Sequence, residues 1–288
     1  MMHSGWQRVT DLGLGVLRAR GADAVPFLQG QLSNDVARAP SGQWQLNGYH
    51  TPQGRVIALL RLMRLAADEV LALVPLGLIP PVIARLNRYV LRSKVQLSDD
   101  SAQWQLVGCA GAASGLPGSA RSLRYDATRQ LALIPQADAY EVKADGTRDD
   151  WMAADIAAGL PQVYLPTSEL FVAQMLNLDL TGGIALDKGC YTGQEIIARA
   201  HYRGQVKRRM QRFESEQPCE LLAGASGTLA DGRNFKVVAA VVRADGRSEF
   251  LAVAPAALGQ EEPESPPDPS RSVLAVRPLP LPYALPLA

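Results

Sequence analysis

The chain has 288 residues, of which 47% are hydrophobic and 20% charged, and its formal net charge is +1. This is the composition of a globular protein with one large or two to three smaller domains. The near-neutral charge argues against a protein held to nucleic acid by its overall field, and three cysteines are too few for a disulfide framework.

Location and metal content are predicted from what the sequence lacks. The first residues, Met-Met-His-Ser-Gly-Trp, contain no apolar core of a signal peptide, and charged residues or prolines interrupt every long apolar run. We therefore expect a cytoplasmic protein without membrane contact. Since there is no Cys-x-x-Cys and no histidine cluster, we also expect no metal site built by this chain alone.

The first hundred residues alternate between strand and helix patterns. A helix is predicted from a cap at Asp23 to about Leu32, because Val25, Leu28 and Leu32 repeat at helical spacing. A second helix, 82–91, follows two prolines. The predicted strands are 12–20, 44–50, 55–65, 70–74 and 95–97, and the second and third form a hairpin that turns at 51–54. Strands interleaved with helices on this scale favour an α+β layered core.

The second half continues with mixed patterns and then becomes rich in strands. Residues 131–134 and 140–142 are predicted as strands and 149–158 as a helix. Thr167 or Ser168 is predicted to cap a further helix that buries Phe171, Met175 and Leu178. The predicted domains are 1–212, a small β-barrel at 213–260 and a tail at 261–288. The tail is rich in proline and is expected to be extended or disordered.

The segment from Lys188 to Arg209 brings a cysteine, a helix start and many cations together. Thr192 and Glu195 have the spacing of a capping box, so a helix is predicted from about Gly193. Cys190 lies just ahead of it, beside Lys188, and both a helix N-terminus and an ammonium favour a thiolate. Six cations and no carboxylate follow between 197 and 212, which indicates an anion site. Each feature alone is more often structural; together they favour function.

The run Lys-Gly-Cys-Tyr-Thr-Gly-Gln-Glu, followed by Ala-Arg and Tyr-Arg-Gly-x-x-Lys-Arg, resembles the signature of the YgfZ family. Residues 27–36 and 87–95 are similar to further segments of that family. Its members are folate-binding proteins related to the T protein, the aminomethyltransferase of the glycine cleavage system. The resemblance implies a T-protein-like fold, with two interleaved α+β domains (the inserted one at roughly 23–97) facing a C-terminal barrel around a tetrahydrofolate cavity.

The resemblance also implies a set of site residues. Cys190 is expected to be the functional thiol, with Lys188 as its partner. A pterin needs acceptors for its donor pair and an aromatic wall, and its glutamate tail suits arginine. The predicted acceptors are Asp35, Gln174, Asn177 and Glu195. Tyr191 and Tyr202 are expected to form the aromatic wall, and Arg199 and Arg203 to bind the glutamate tail. Gln194 is expected to be a further folate contact.

Three functions remain open on the sequence. The resemblance favours a tetrahydrofolate-binding accessory factor for iron–sulfur enzymes, including those that methylthiolate tRNA. In it, Cys190 can form a mixed disulfide, hold a transient cluster or carry a one-carbon unit. The second is a one-carbon transferase or demethylase using Asp35 or Glu195. We expect no glycine-cleavage activity, because the residues directly after Gly54 include no carboxylate, whereas a T protein carries at this place an acid needed for aminomethyl transfer. The third is a module whose cations at 199–212 grip tRNA.

Overall fold

The computed structural model describes residues 6–40, 43–202, 206–255 and 273–286. These residues form three antiparallel sheets, with one parallel strand pair in the third, and four α-helices lie among them. No helix among these residues is long and apolar enough to cross a membrane.

The first sheet has five strands. It contains β2 (Leu14–Arg20), β3 (Trp44–His50), β4 (Val56–Ala66), β5 (Glu69–Pro75) and β6 (Gln96–Asp99), in the order β3-β4-β5-β2-β6. The predicted hairpin is confirmed, since β3 pairs with β4 from Trp44 opposite Met63 to His50 opposite Val56. Burial along β4 and β5 is near-continuous because both faces are covered: Leu62, Ala72 and Val74 belong to the largest core, whereas Met63, Leu71 and Leu73 belong to a second core.

Two helices cover this sheet. The helix α1 (Ala24–Gln31) begins directly after Asp23, whose side chain makes no cap bond to it; instead its carboxylate accepts from the backbone N–H of Lys94 at 2.6 Å. The helix α2 (Ile79–Val90) has prolines in its first turn, where the missing N–H groups cost nothing. Val82 and Leu86, one turn apart on α2, are fully buried.

The first sheet is inserted into the second sheet in the chain. The second sheet is built from β1 (Arg8–Val9), β7 (Trp104–Ala110), β9 (Arg129–Pro135) and β8 (Arg121–Arg124), in that spatial order. Because β1 precedes the first sheet and pairs with β7 after it, the two units are interleaved. The inserted unit runs from Leu14 to Asp99, so it begins before the predicted residue 23.

Helix α3 (Arg148–Ala157) follows the second sheet. It starts with a capping box in which Thr147 and Asp150 exchange side-chain and backbone hydrogen bonds. Its inner face buries Trp151, Asp155 and Ile156. The strand predicted at 140–142 is absent, because these residues have no strand partner in the described chain.

The third sheet curls into a barrel. Its strands are β10 (Arg208–Ser215), β11 (Ser226–Leu229), β12 (Asn234–Val242), β13 (Ser248–Pro255), β14 (Val273–Leu274) and β15 (Val276–Leu279), in the order β14-β11-β12-β13-β10-β15. One residue, Ala275, separates the two edge strands in the chain. The edges must therefore lie within a few ångströms of each other, which brings the sheet close to closure.

This topology corrects two predicted boundaries. The bound at residue 212 cuts through β10, so the barrel begins at Arg208. Part of the predicted tail belongs to the barrel, because Val273 and Leu274 pair with β11 while the segment Val276–Leu279 pairs with β10. Its prolines are tolerated because edge strands donate fewer ladder hydrogen bonds. Residues 256–260 of the predicted barrel and residues 261–272 and 287–288 of the predicted tail lie outside the described residues.

Candidate functional site

The signature segment is packed on the hairpin turn of the first sheet. Gly193 has φ +84°, and a Cβ there would lie 2.6 Å from the carbonyl oxygen of Thr51. The helix α4 (Gln194–Tyr202) starts directly after it, so the predicted helix is confirmed. Cys190 lies before this start, and its side chain is a free, exposed thiol. The segment therefore offers Cys190 to solvent beside a helix N-terminus.

Lys188 points away from solvent. Its Nζ donates to the carbonyl oxygens of Gln29 (2.6 Å), Leu32 (2.6 Å) and Asn34 (2.9 Å). These are carbonyls at and beyond the end of α1, where the helix leaves acceptors unsatisfied. Burial lowers the pKa of Lys188 to about 8. The ammonium predicted to activate Cys190 is thus engaged with three backbone oxygens and ties the signature to α1.

Two buried aromatic groups lie under the signature. Tyr191 is 7% exposed, its hydroxyl has no hydrogen-bond partner among the described residues, and burial raises its pKa to about 12. His50 is 1% exposed, both of its ring nitrogens lack a partner there, and burial lowers its pKa to about 3. The rings lie 6.4 Å apart. His50 is therefore neutral at physiological pH, and the sequence reasoning overlooked it.

The side chains of Gln174 and Asn177 bond to α4 and to the barrel, respectively. The Gln174 side chain donates to the carbonyl of Ile197 at 2.7 Å, and that of Asn177 to the carbonyl of Met210 at 2.9 Å. The helix predicted here is wrong: the segment forms one short turn, Ala173–Leu176, and Asn177 leaves it with φ +57°. The Oε1 of Gln174 is buried and has no hydrogen-bond partner among the described residues, so one acceptor remains available to a ligand.

The other residues predicted to hold folate lie at or near the surface. The Asp35 carboxylate accepts from the Gln29 side chain and the Arg38 N–H. Gln194 is half-buried, Tyr202 is 69% exposed, and Arg199 pairs with Glu195 at 2.8 Å on the outer face of α4. Arg203 lies outside the described residues.

The cations after Ile197 are less available than predicted. Arg199 pairs with Glu195, Arg209 with Asp179 at 2.8 Å, and Arg212 with Glu249 at 2.6 Å. Arg209 and Arg212 are largely buried. Because protein carboxylates already neutralise these guanidinium groups, the anion site predicted at 199–212 loses three of its six cations.

A cavity of about 460 Å³ lies where the three sheets meet. The unit that contains the first sheet contributes Leu14 and Pro75 to the cavity wall, and the barrel contributes Leu222 and Ala240. The second unit and the loop after α3 provide the polar and aromatic groups Tyr125, Arg148, Trp151, Asp155, Gln162 and Tyr164. None of the described residues predicted to hold folate lines this cavity. Its volume falls within the range of about 300–1,000 Å³ that is usual for small-molecule sites.

The polar wall of the cavity rests on Arg129. This guanidinium, with 2% of its side chain exposed, lies 2.6 Å from Asp155 and 2.6 Å from Asp126. It also lies over the rings of Tyr125 (4.9 Å) and Trp151 (4.4 Å). Burial raises the pKa of Asp155, and Arg129 opposes that shift. The Nε1 of Trp151 has no partner among the described residues, which leaves a donor beside the cavity.

The sequence carried one signal for this cavity that the predictions did not use. Trp151 and Asp155 are one helical turn apart, so they share a face of α3. Trp151 belongs to that helix's apolar stripe, and a carboxylate on a buried stripe is rare unless it is paired or functional. Arg129, which pairs with it, is 26 residues earlier in the chain and could not have been assigned from spacing.

Comparisons with known proteins place this geometry in a class. The fold resembles the glycine cleavage aminomethyltransferase T of Bartonella henselae, with a TM-score of 0.66 and 17% identity over 85% of this chain and 76% of that protein. Three sheets around a junction cavity therefore define a T-protein-like fold, as predicted.

Sequence relatives give the family. The chain is 31% identical to the tRNA-modifying protein YgfZ of Edwardsiella ictaluri, over 92% of this chain and 89% of that protein. It is 34% identical to an uncharacterized protein of Haemophilus influenzae, over 80% of this chain and 82% of that protein. No family model matches. The chain belongs to the YgfZ family of tRNA-modifying proteins.

Proposed function

We propose that this protein is a cytoplasmic, tetrahydrofolate-binding accessory factor that supports iron–sulfur cluster assembly or repair and iron–sulfur-dependent tRNA modification. Cys190 is its functional thiol. Family membership supports the link to tRNA modification. The observation that carries the folate part is the cavity between the three sheets, whose wall combines apolar, aromatic and carboxylate groups.

The cavity suits the chemistry of a folate. Tyr125 and Trp151, whose rings are 4.8 Å apart in an edge-on arrangement, offer an aromatic wall to a flat pterin. Asp155 offers carboxylate oxygens to the pterin's donors. Arg148 lines the cavity and is half-exposed; its partner Asp11, 2.5 Å away, is also exposed, so Arg148 can exchange this carboxylate for an anionic glutamate tail. Tetrahydrofolate carries one-carbon units when bound, and these residues would bind and orient it.

Cys190 supports the iron–sulfur part. An exposed thiol at a helix start can attack a disulfide, ligate a metal in transit or accept a one-carbon unit. Among the described residues, no three histidine, cysteine or carboxylate side chains lie close enough to hold a metal ion. We therefore propose that Cys190 acts on iron–sulfur client enzymes at an exposed surface and shares any cluster with them.

Two measurements test this proposal. The first is calorimetric titration of the protein with tetrahydrofolate, where saturable one-site binding is expected. The second is complementation of a strain that lacks the family member, scored by the amount of methylthiolated tRNA. Cys190→Ser should abolish complementation, while Cys219→Ser, a partly buried control, should retain it. Full complementation by Cys190→Ser would refute the thiol role.

Asp155 favours a second candidate, a folate-dependent one-carbon transferase or demethylase. A transferase needs an acid near the folate, and a buried carboxyl with a raised pKa lines the cavity. Turnover of a methylated amine by the purified protein with tetrahydrofolate, abolished by Asp155→Asn in a folded variant, would establish it. No turnover with saturating folate leaves the accessory role.

A further inference from the structure

The end of α2 forms a surface that the folate site does not use. In the segment from Arg88 to Lys94, called here the α2 terminal surface, the cations Arg88, Arg92 and Lys94 are exposed. Between them Tyr89 is 45% exposed and Leu91 is 87% exposed. Cations and large apolar side chains therefore alternate along the last turn of α2 and the four residues that follow it.

The three cations have no charged or hydrogen-bonding partner among the described residues. The side chains of Arg88, Arg92 and Lys94 make no ion pair or hydrogen bond to any described residue. Arg88 lies in the last turn of α2 and interacts favourably with the helix dipole, whereas Arg92 and Lys94 lie beyond the end of the helix. The signature arginines differ, since Arg199 and Arg209 pair with carboxylates. Unpaired cations keep their charge available to an external anion.

A groove runs beside these cations. It has a volume of about 720 Å³ and is lined by Asp23, Tyr89, Val90, Leu91, Arg92 and Ser93. The Asp23 carboxylate in it already accepts a hydrogen bond from the Lys94 backbone. A further exposed cation, Arg20, precedes Gly21, which packs directly on the Lys94 carbonyl. The groove is therefore open and partly aromatic; its lining carries the cation Arg92 and the carboxylate Asp23, and the exposed cations Arg88 and Lys94 belong to the same segment.

The backbone holds an apolar side chain out in water. Leu91 has φ +43° and ψ −101°, a conformation that a leucine rarely adopts. Both the conformation and the exposure cost free energy, which the rest of the segment must offset. Such an arrangement is typical of a surface that a partner covers.

We infer that the α2 terminal surface binds unpaired nucleotides of a tRNA. Arg88, Arg92 and Lys94 contact phosphates, and a base stacks on Tyr89 beside Leu91. A positively charged groove with aromatic side chains is the general means of holding single-stranded nucleic acid, since every base has a face to stack. An acidic protein would use the same cations but would leave the Tyr89 ring without a role. The choice of tRNA rests on the proposed function.

Binding of a labelled, unmodified tRNA transcript, followed by fluorescence anisotropy between about 50 and about 200 mM salt, tests the inference. The triple variant Arg88→Gln/Arg92→Gln/Lys94→Gln should bind at least about 10-fold more weakly, and its slope of log affinity against log salt should be shallower by about 2. Tyr89→Ala should weaken binding about 10-fold and leave the slope unchanged.

A matched control removes the same charge elsewhere. Arg121→Gln/Lys143→Gln/Lys236→Gln should bind tRNA like the wild type. An equal loss in both triple variants, or no wild-type binding at low salt, would overturn the inference. Poly-L-glutamate, the probe for an acidic protein partner, would also overturn it if it displaced tRNA as well as RNA of equal charge does.

Tetrahydrofolate titration separates this inference from the proposed function. The α2 variants should keep the wild-type folate affinity and melting temperature, which shows that they are folded. Loss of tRNA binding with intact folate binding assigns the surface to tRNA. Wild-type protein that binds tRNA through these residues but takes no folate would support the inference while the folate part of the proposed function fails.

Discussion

The ammonium of Lys188 lies 2.6 Å from the carbonyl oxygen of Leu32, which joins the signature segment to the end of α1. Sequence places Lys188 two residues before Cys190, yet the structure uses it as a cap for a helix that lies more than 150 residues earlier. The signature therefore combines an exposed thiol with a buried anchor, and the two residues can be tested separately.

Replacing the anchor should destabilise the protein. Lys188→Met keeps the length of the side chain but removes three charge-assisted hydrogen bonds and leaves buried carbonyls without a donor. We expect a loss of about 2–4 kcal/mol in the free energy of unfolding, measured by urea denaturation. Lys143→Met, at an exposed position, should change it by less than about 0.5 kcal/mol. An equal effect of both would contradict the anchor role.

His50 should make stability depend on pH. Its folded pKa of about 3 lies below the ordinary 6.5, so between these values the unfolded chain binds a proton that the folded chain does not. This contribution is present above pH 6.5 and is lost as the pH falls toward 3, up to roughly 5 kcal/mol. The unfolding free energy of His50→Phe should fall less from pH 7 to about pH 4.5 than that of the wild type. The exposed control His201→Gln should behave like the wild type.

Asn177 should be sensitive to both its hydrogen bond and its backbone. Asn177→Gly removes the donor to Met210 but suits φ +57°, whereas Asn177→Ala also brings strain. We expect losses of about 1–2 kcal/mol for the glycine variant and about 1 kcal/mol more for the alanine variant, by urea denaturation. The reverse order would show that backbone strain is unimportant here.

Filling the cavity should block folate. Leu222 lines it and is 68% exposed, so Leu222→Trp adds volume at its mouth at little cost in stability. We expect calorimetry to show a loss of tetrahydrofolate affinity of at least about 10-fold, or about 1.4 kcal/mol. Val242→Trp, at an exposed barrel position away from the cavity lining, is the control. Unchanged affinity in the Leu222 variant would place folate elsewhere.

The last strands should be needed for a stable barrel. A chain ended at residue 272 lacks β14 and β15, which exposes the edges of β10 and β11, and it also lacks Tyr283, whose hydroxyl donates to the carbonyl of Gly159 at 2.7 Å. We expect a lower melting temperature and association on size-exclusion chromatography. A chain ended at residue 286 should behave as the full protein.

Local patterns in the sequence predicted much of the fold. Alternation and turn residues located the hairpin of β3 and β4, and the Thr192–Glu195 spacing located the start of α4, because both depend on neighbours within a few residues. The same reasoning failed at 168–178. There the chain runs beside the start of β4 and does not form a helix, because the Val56 N–H donates to the Phe171 carbonyl. Tertiary contacts therefore outweigh the helical spacing of the apolar residues.

The sequence by itself determined the α+β class, the interleaved units, the barrel and the signature with Cys190 ahead of a helix start, since these follow from periodicity, turns and a long contiguous resemblance; the exposure of Cys190 is a finding of the structure. Tertiary structure decided which charges are free. Arg209, Arg212 and Lys188 look like open cations in the sequence but meet partners 30 to 159 residues away. Arg88, Arg92 and Lys94 meet none among the described residues. Whether a charge is available depends on what folds against it, and spacing along the chain reveals only partners within a helical turn, such as Glu195 for Arg199.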